Sequence, residues 1–167
     1  MFDIGEYIIY GNHGVCEVKE ISKKTISSII GEKLYYTLSP IYVKGSTVYS
    51  PVDNCKVAIR PVLTKDEAEE LIDHMPEVEL IENVEEKKRE VVYKEAIRSC
   101  DCRELVKIIK TLYKRRQERL NDGKKFTAID ERYLNQAKGC LYGEMAIALD
   151  MDKEEVEDYI TNRINNL

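Results

Sequence analysis

Short runs of β-branched and aromatic residues, separated by turn residues, fill the first 62 positions of the chain. Runs of this length with Gly, Pro, Asn, Asp or Ser between them are typical of strands in a small antiparallel sheet. The pattern predicts strands at residues 7–10, 15–21, 25–30, 33–38, 47–50 and 57–60. Because a segment of about 60 residues buries little apolar surface and an open sheet leaves unpaired edges, we expect a strongly bent, closed barrel.

The hydrophobic period changes after Pro61, where Leu, Ile, Glu and Lys recur at helical spacing. Side chains that can cap helix N-termini precede the periodic segments, at Thr64, Asp101, Thr127 and Asp152. The pattern predicts helices over residues 65–75, about 87–99, from 101 to about 120, from 127 through 148 and from 152 to about 164. This second part is therefore expected to be an all-α bundle.

The predicted fold class is α+β, with a small antiparallel β-barrel followed by a helical bundle. We expect a barrel domain at residues 1–62, a helix and an acidic linker at 63–86, and a helical domain at 87–167. Residues 77–86 are acidic and only loosely periodic, so we interpret them as a linker or hinge.

Charge is segregated along the chain although the protein as a whole has a net charge of −5. Residues 63–86 carry 1 basic and 10 acidic side chains, whereas residues 87–125 carry 14 basic and 6 acidic ones. Residues 126–167 are again acidic, with 4 basic and 9 acidic side chains. A locally basic surface in an acidic protein can attract phosphate while its flanks repel non-specific contacts.

Several function classes lack support in the sequence. No run approaches the ~18 apolar residues of a membrane span, and residues 1–6 do not resemble a secretory signal, so we expect an intracellular protein without membrane contact. The two histidines, His13 and His74, belong to no nucleophile or metal-ligand motif, and no glycine-rich phosphate cradle is present. We therefore expect no enzymatic activity, no cofactor and no metal.

Cys100 and Cys102 form the only close pair among five cysteines. The odd count and the absence of secretory features argue against a disulfide framework. Either the pair packs at a helix start, or it forms a metal- or redox-responsive site.

The strongest physical signal is a basic stripe on the third predicted helix. Arg103, Lys107, Lys110 and Lys114 are spaced four, three and four residues apart, which places them on one helix face. Further basic residues lie nearby in sequence, at 87–89, 115–119 and 124–125. This pattern fits contact with a phosphate backbone, but it equally fits a solvated helix face.

The predicted barrel offers a second candidate surface. The segment 25–30, which follows Lys24, is a candidate edge strand that could accept an extended strand from a partner. Pairing within the barrel alone is the other interpretation.

Five ordered motifs resemble the CarD/CdnL family of bacterial transcription regulators, whose N-terminal module also occurs in the transcription-repair coupling factor. The motifs are Phe2-Asp3-Ile4-Gly5-Glu6-Tyr7-Ile8-Ile9-Tyr10 with His13-Gly14-Val15, Val48-Tyr49-Ser50-Pro51-Val52-Asp53-Asn54, Ile59-Arg60-Pro61-Val62, Leu112-Tyr113-Lys114-Arg115-Arg116-Gln117-Glu118, and Ala137-Lys138-Gly139-Cys140-Leu141-Tyr142-Gly143-Glu144-Met145. They follow the order of the family and span nearly the whole chain.

The resemblance implies a cytoplasmic protein, and we expect it to be a monomer. A Tudor-like N-terminal domain would bind the RNA polymerase β subunit, and a helical domain would bind promoter DNA and alter the stability of the open complex. Family members often have basic polymerase-contacting residues at two positions, which correspond to Lys24 and Tyr49 in this chain. The basic residue is present at the first position and is replaced by tyrosine at the second. The implied polymerase-binding residues are Lys24, Thr25, Ile26, Tyr49, Ser50 and Pro51. The DNA-binding residues are expected to be Lys87, Lys88, Arg89, Arg103, Lys107, Lys110, Lys114, Lys124, Lys125 and Lys138.

One departure from the family concerns the DNA-binding helix. Many members have a tryptophan there that wedges into the minor groove, but this chain has no tryptophan and Glu86 occupies the corresponding position. A carboxylate cannot replace base stacking as an apolar wedge does. An alternative function is therefore a polymerase-binding adaptor whose helical domain meets another protein instead of DNA.

Overall fold

The computed structural model describes residues 1–167 and contains a five-stranded antiparallel sheet followed by five α-helices, which confirms the predicted fold class. The strands are β1 (Tyr7–Tyr10), β2 (Val15–Lys24), β3 (Lys33–Pro40), β4 (Val48–Pro51) and β5 (Ile59–Pro61). The helices are α1 (Lys65–His74), α2 (Glu86–Arg98), α3 (Cys102–Asn121), α4 (Ala128–Leu149) and α5 (Val156–Asn165).

The strand order in the sheet is β4-β3-β2-β1-β5. A β-bulge between Val18 and Glu20 shifts the register of β2 against β3, which increases the local bend and twist. The inner face of the sheet buries its own small core, formed by Ile8, Tyr10, Cys16, Val18, Tyr36 and Leu38. β4 pairs only with β3 and is not hydrogen-bonded to β5, so it retains a free edge. The sheet is strongly bent, but the expectation that its strands close into a complete barrel is not met.

The predicted strand at residues 25–30 is wrong. β2 continues to Lys24, which pairs with Lys33 of β3, and residues 25–32 form the loop of this hairpin. The carbonyl of Ser27 accepts hydrogen bonds from the N–H groups of Ile30 and Gly31, and Gly31 has a φ of +76°. Turn hydrogen bonds and a left-handed glycine therefore outweigh the strand preference of the isoleucines.

Helix caps lie where the sequence predicts them. The Thr64 hydroxyl accepts from the Glu67 N–H while the Glu67 carboxylate accepts from the Thr64 N–H, forming a complete capping box. Asp101 and Thr127 cap α3 and α4 through their side-chain oxygens. None of the helices combines the length and the apolar composition that crossing a bilayer requires.

Helix α1 and the segment after it pack into the helical core. Ile72 and Val78 are buried in the same cluster as Leu112 and Leu141. Farther along, the Ile81 N–H donates to the hydroxyl of Thr111 at 2.9 Å. The acidic segment at residues 77–86 thus runs along α3 and is attached to it by apolar packing and hydrogen bonds.

A buried ion pair joins the β-domain to the helices. Both terminal nitrogens of Arg60, in β5, donate to the carboxylate of Glu144, in α4, and the Nη2–Oε2 distance is 2.8 Å. Glu144 is only 1% exposed, and it also accepts the N–H of Leu63 at 3.0 Å. Arg60 Nε donates to the carbonyl of Cys100 at 2.7 Å, so β5, the turn before α3 and the C-terminal half of α4 meet at one arginine.

Two further contacts extend this junction. The Tyr42 hydroxyl donates to the carbonyl of Gly143 at 2.8 Å. A Cβ atom at Gly143 would lie 2.6 Å from Tyr42 Cε2, so only glycine allows the ring to approach α4 this closely. On the outer face of the sheet, Ile9 and Val15 form a buried cluster with Cys100. The helical domain thus covers part of the sheet.

Replacing Arg60 with methionine is expected to reduce the free energy of unfolding by about 3–5 kcal/mol, because the change leaves a buried carboxylate without its partner. Chemical denaturation of the single variants and of Arg60→Met/Glu144→Met measures the coupling. The double variant should recover much of the loss, since two apolar side chains can fill the site without unpaired charge. Lys33→Met is the matched control, because Lys33 and Asp53 form an exposed ion pair. Additive losses in the double variant would contradict the assigned role.

Candidate functional site

The first candidate surface lies at the free edge of the sheet. The ammonium group of Lys24 lies 5.1 Å from the centroid of the Tyr49 ring, and 3.5 Å from a carboxylate oxygen of Glu20. Thr37 of β3 pairs with Glu20 on one side and with Tyr49 on the other, so these side chains share one face of the sheet. A cation and a half-exposed aromatic ring are therefore presented together beside the unpaired edge of β4.

The other residues predicted for this surface differ in exposure. Thr25 and Ile26 lie in the exposed loop between β2 and β3. Ser50 is completely buried, and Pro51 is half-buried. The backbone groups of Ser50 face β3, so Ser50 is not available to a partner. Strand addition to the free edge would use the outward backbone groups of Tyr49, because Pro51 has no N–H to donate.

The second candidate surface is a cluster of cations at one end of the helical domain. It combines the start of α2, the end of α3 and the loop before α4, which are connected by two contacts. Arg115 of α3 pairs with Glu86 of α2 at 2.7 Å, and the Nε of Arg119 donates to the carbonyl of Lys125 at 2.7 Å. We call this surface the basic end; its cations are Lys87, Lys88, Arg89, Lys114, Arg116, Arg119, Lys124 and Lys125.

Four of the residues predicted to bind DNA lie outside the basic end. Lys110 donates to the carbonyls of Met75, Pro76 and Val78, at 2.9, 3.1 and 2.6 Å respectively, and so fastens the segment after α1 to α3. Lys138 lies 3.2 Å from the carboxylate of Glu157 and over the rings of Tyr113 and Tyr142.

The remaining two lie near the other end of α3. Lys107 pairs with Glu104 at 3.0 Å, and Arg103 precedes Lys114 by about 16 Å along the helix axis. The predicted stripe is therefore not one continuous surface of free cations.

Some residues of the basic end were not assigned from the sequence. Arg116 lies over the ring of Phe126, 5.8 Å from its centroid, and Arg119 contacts the loop before α4. The sequence shows that Arg116 and Arg119 belong to a basic run at residues 115–119. Only the packing of α3 against that loop shows that they lie on the same surface as residues 124–125. Arg115, within the same run, is held between Asp130 and Glu86, both at 2.7 Å, and supports the fold.

The paired cysteines lie in the junction between the domains. Cys100 Sγ donates to the carbonyl of Gly11 at 3.3 Å, and Cys102 Sγ lies 3.1 Å from a carboxylate oxygen of Glu144. Burial raises the pKa of both thiols, which disfavours the reactive thiolate. No group of three His, Cys, Asp or Glu side chains is arranged to hold a metal ion.

Comparison with known protein families identifies both parts of the chain. Residues 2–63 match the CarD-like/TRCF RID domain, and residues 70–161 match the C-terminal domain of CarD. Proteins with these two domains in this order are non-catalytic transcription factors that interact with RNA polymerase. The chain belongs to the CarD/CdnL family, which confirms the resemblance seen in its motifs.

Only one of the five thiols is expected to react rapidly with a disulfide reagent such as DTNB in the folded protein. Cys55 is exposed, whereas burial raises the pKa of Cys16 to about 12 and that of Cys140 to about 11. Thiol titration should give one fast equivalent near pH 7.5 and five in denaturant, and Cys55→Ser should remove the fast one. Rapid reaction of Cys100 or Cys102 would instead support a redox-responsive site.

Proposed function

We propose that the N-terminal domain binds the β subunit of RNA polymerase along the free edge of β4. The observation that carries this proposal is the Lys24–Tyr49 pair, which places a cation and an aromatic ring beside that edge. An edge strand can pair with an extended segment of a partner through its backbone, and neighbouring side chains then supply specificity. Aromatic residues are frequent anchors in protein interfaces.

The helical domain, in this proposal, contacts promoter DNA through the basic end. Lys87, Lys124 and Lys125 have no carboxylate within ion-pair distance, so their ammonium groups are available to phosphate. Such cations position a protein on the duplex without reading its sequence. Contact with DNA is therefore expected to be largely independent of base sequence.

The two contacts act together through tethering. Binding of the β-domain to polymerase raises the local concentration of the basic end near DNA, so that weak phosphate contacts suffice. The Arg60–Glu144 junction attaches the helices to the sheet that carries the β4 edge. Added contacts to promoter DNA in the polymerase complex would change the stability of the open complex.

A second candidate function is an adaptor whose helical domain binds another protein. Glu86 is exposed within the basic end and pairs with Arg115, so a carboxylate lies where an apolar wedge would be needed. The chain also has no tryptophan. These features favour protein contact over wedging into DNA, while leaving phosphate contact feasible.

Reversal of the charge at Lys24 is expected to weaken binding to the purified polymerase β-lobe by about tenfold or more. The substitution removes the cation that lies over the Tyr49 ring and places a second carboxylate beside Glu20. Titration calorimetry of wild type and Lys24→Glu measures the change. Lys23→Glu is the matched control, because Lys23 is the neighbouring residue and points to the opposite face of the strand. Equal weakening by both variants would point to general electrostatics, and no binding by wild type would refute the polymerase contact.

Removal of three free cations from the basic end should make DNA association less dependent on salt. Each lost phosphate contact lowers the slope of log K against log [salt] by about 0.9, so Lys87→Ala/Lys124→Ala/Lys125→Ala should lower it by roughly two to three. Fluorescence anisotropy with a labelled promoter duplex measures this slope. A control with the same charge loss replaces Lys44, Lys56 and Lys65, which are exposed elsewhere. An unchanged slope would favour the adaptor function.

A further inference from the structure

We infer that the tip of the β2–β3 hairpin is a second, apolar docking element for the polymerase, inserted into a hydrophobic pocket beside the segment that pairs with β4. The tip consists of the loop at residues 25–32 and presents Ile26, Ile29 and Ile30. This inference rests on the proposed polymerase contact and adds to it a site and the chemistry of the surface that it would fit.

The exposure of these side chains is the first observation. Ile29 is 93% exposed, Ile30 60% and Ile26 57%, and Leu34 at the base of the hairpin is also exposed. Four of the sixteen exposed large apolar side chains of the protein thus lie within nine consecutive residues. Scattered apolar residues on a surface need no explanation, but a concentration of them indicates an interaction site.

The loop has a defined conformation, which is the second observation. The N–H groups of Ile30 and Gly31 both donate to the carbonyl of Ser27 at 3.2 Å, and the Ser27 hydroxyl accepts from the N–H of Ile29 at 3.3 Å. Gly31 then closes the turn with a φ of +76°. Because the turn is fixed by its own hydrogen bonds, the isoleucines are presented outward at a smaller entropic cost on binding than in a flexible loop.

The position of the tip determines the partner that it would meet. The Val52 N–H, just after β4, donates to the carbonyl of Leu34 at 3.0 Å, and Lys33 pairs with Asp53 at 3.3 Å. The C-terminal end of β4 therefore lies beside the base of the hairpin. A segment added to the free edge of β4 would bring the surrounding surface of its protein next to the tip, so we assign the same partner to both.

The charges around the tip indicate that the partner surface it contacts is an apolar pocket. The lysines around the tip, Lys23, Lys24 and Lys33, each have a carboxylate of this chain within 3.8 Å. The rim of the tip is therefore nearly neutral. Apart from Lys24, which lies over Tyr49 at the base of the hairpin, the side chains available for recognition here are the isoleucines. Burial of exposed isoleucine against apolar atoms is a sufficient driving force for such a contact.

The test is binding of the double variant Ile29→Ser/Ile30→Ser to purified core RNA polymerase, beside wild type and Lys24→Glu. We expect binding about tenfold to hundredfold weaker than wild type, because two apolar side chains lose their burial on the partner. The melting temperature should not change, since neither side chain belongs to a core cluster. Ile29→Leu should retain binding, and the control Val91→Ser/Ile129→Ser, which removes exposed apolar side chains from the helical domain, should bind as wild type.

The outcomes separate this inference from the proposed function. If the isoleucine variant binds as wild type while Lys24→Glu binds weakly, the tip is not a docking element and the polymerase contact stands. If wild type does not bind polymerase at all, both proposals fail. A third outcome is that wild type self-associates in sedimentation velocity and the isoleucine variant does not, while both bind polymerase equally. In that case the tip joins copies of this chain, and our inference is overturned.

Discussion

The buried pair between Arg60 and Glu144 is the contact on which the arrangement of the two domains depends. A carboxylate at 1% exposure is stable in its charged form only if donors surround it, and here they come from β5, from the segment that follows it and from the start of α3. Because these donors are separated along the chain, the pair positions several elements at once. The close approach of Tyr42 to Gly143 adds a steric constraint on the same stretch of α4.

This junction determines which surfaces remain available. The helices cover part of the outer face of the sheet around Ile9 and Val15, whereas β4, at one end of the sheet, pairs with β3 and keeps its outer edge free. The edge with Lys24 and Tyr49 and the hairpin tip therefore lie on the part of the β-domain that the helices leave open. The proposed polymerase contact uses backbone groups on the outer edge of β4, which pair with no other strand of the sheet.

The cations of the helical domain serve two different purposes. Lys110 and Arg115 satisfy internal carbonyls and carboxylates, so their charge is used within the fold. At the start of α2 and before α4, by contrast, Lys87, Lys124 and Lys125 form no ion pair within the chain. A protein of net charge −5 can thus present a local basic surface to phosphate without a general affinity for nucleic acid.

The sequence by itself determined the architecture. Helix starts at Thr64, Asp101 and Thr127 follow from local capping, and the family follows from ordered motifs, because both are properties of neighbouring residues. Tertiary structure decided what each charged or apolar side chain contacts. The partner of Arg60, Glu144, lies 84 residues away in the sequence. The spacing of Lys110 suits an exposed stripe, but its ammonium group donates to backbone carbonyls of the segment after α1. The isoleucine-rich segment at 25–30 forms a turn and does not pair as a strand. Periodicity and capping report local geometry, whereas long-range contacts depend on how the elements pack, which no local pattern contains.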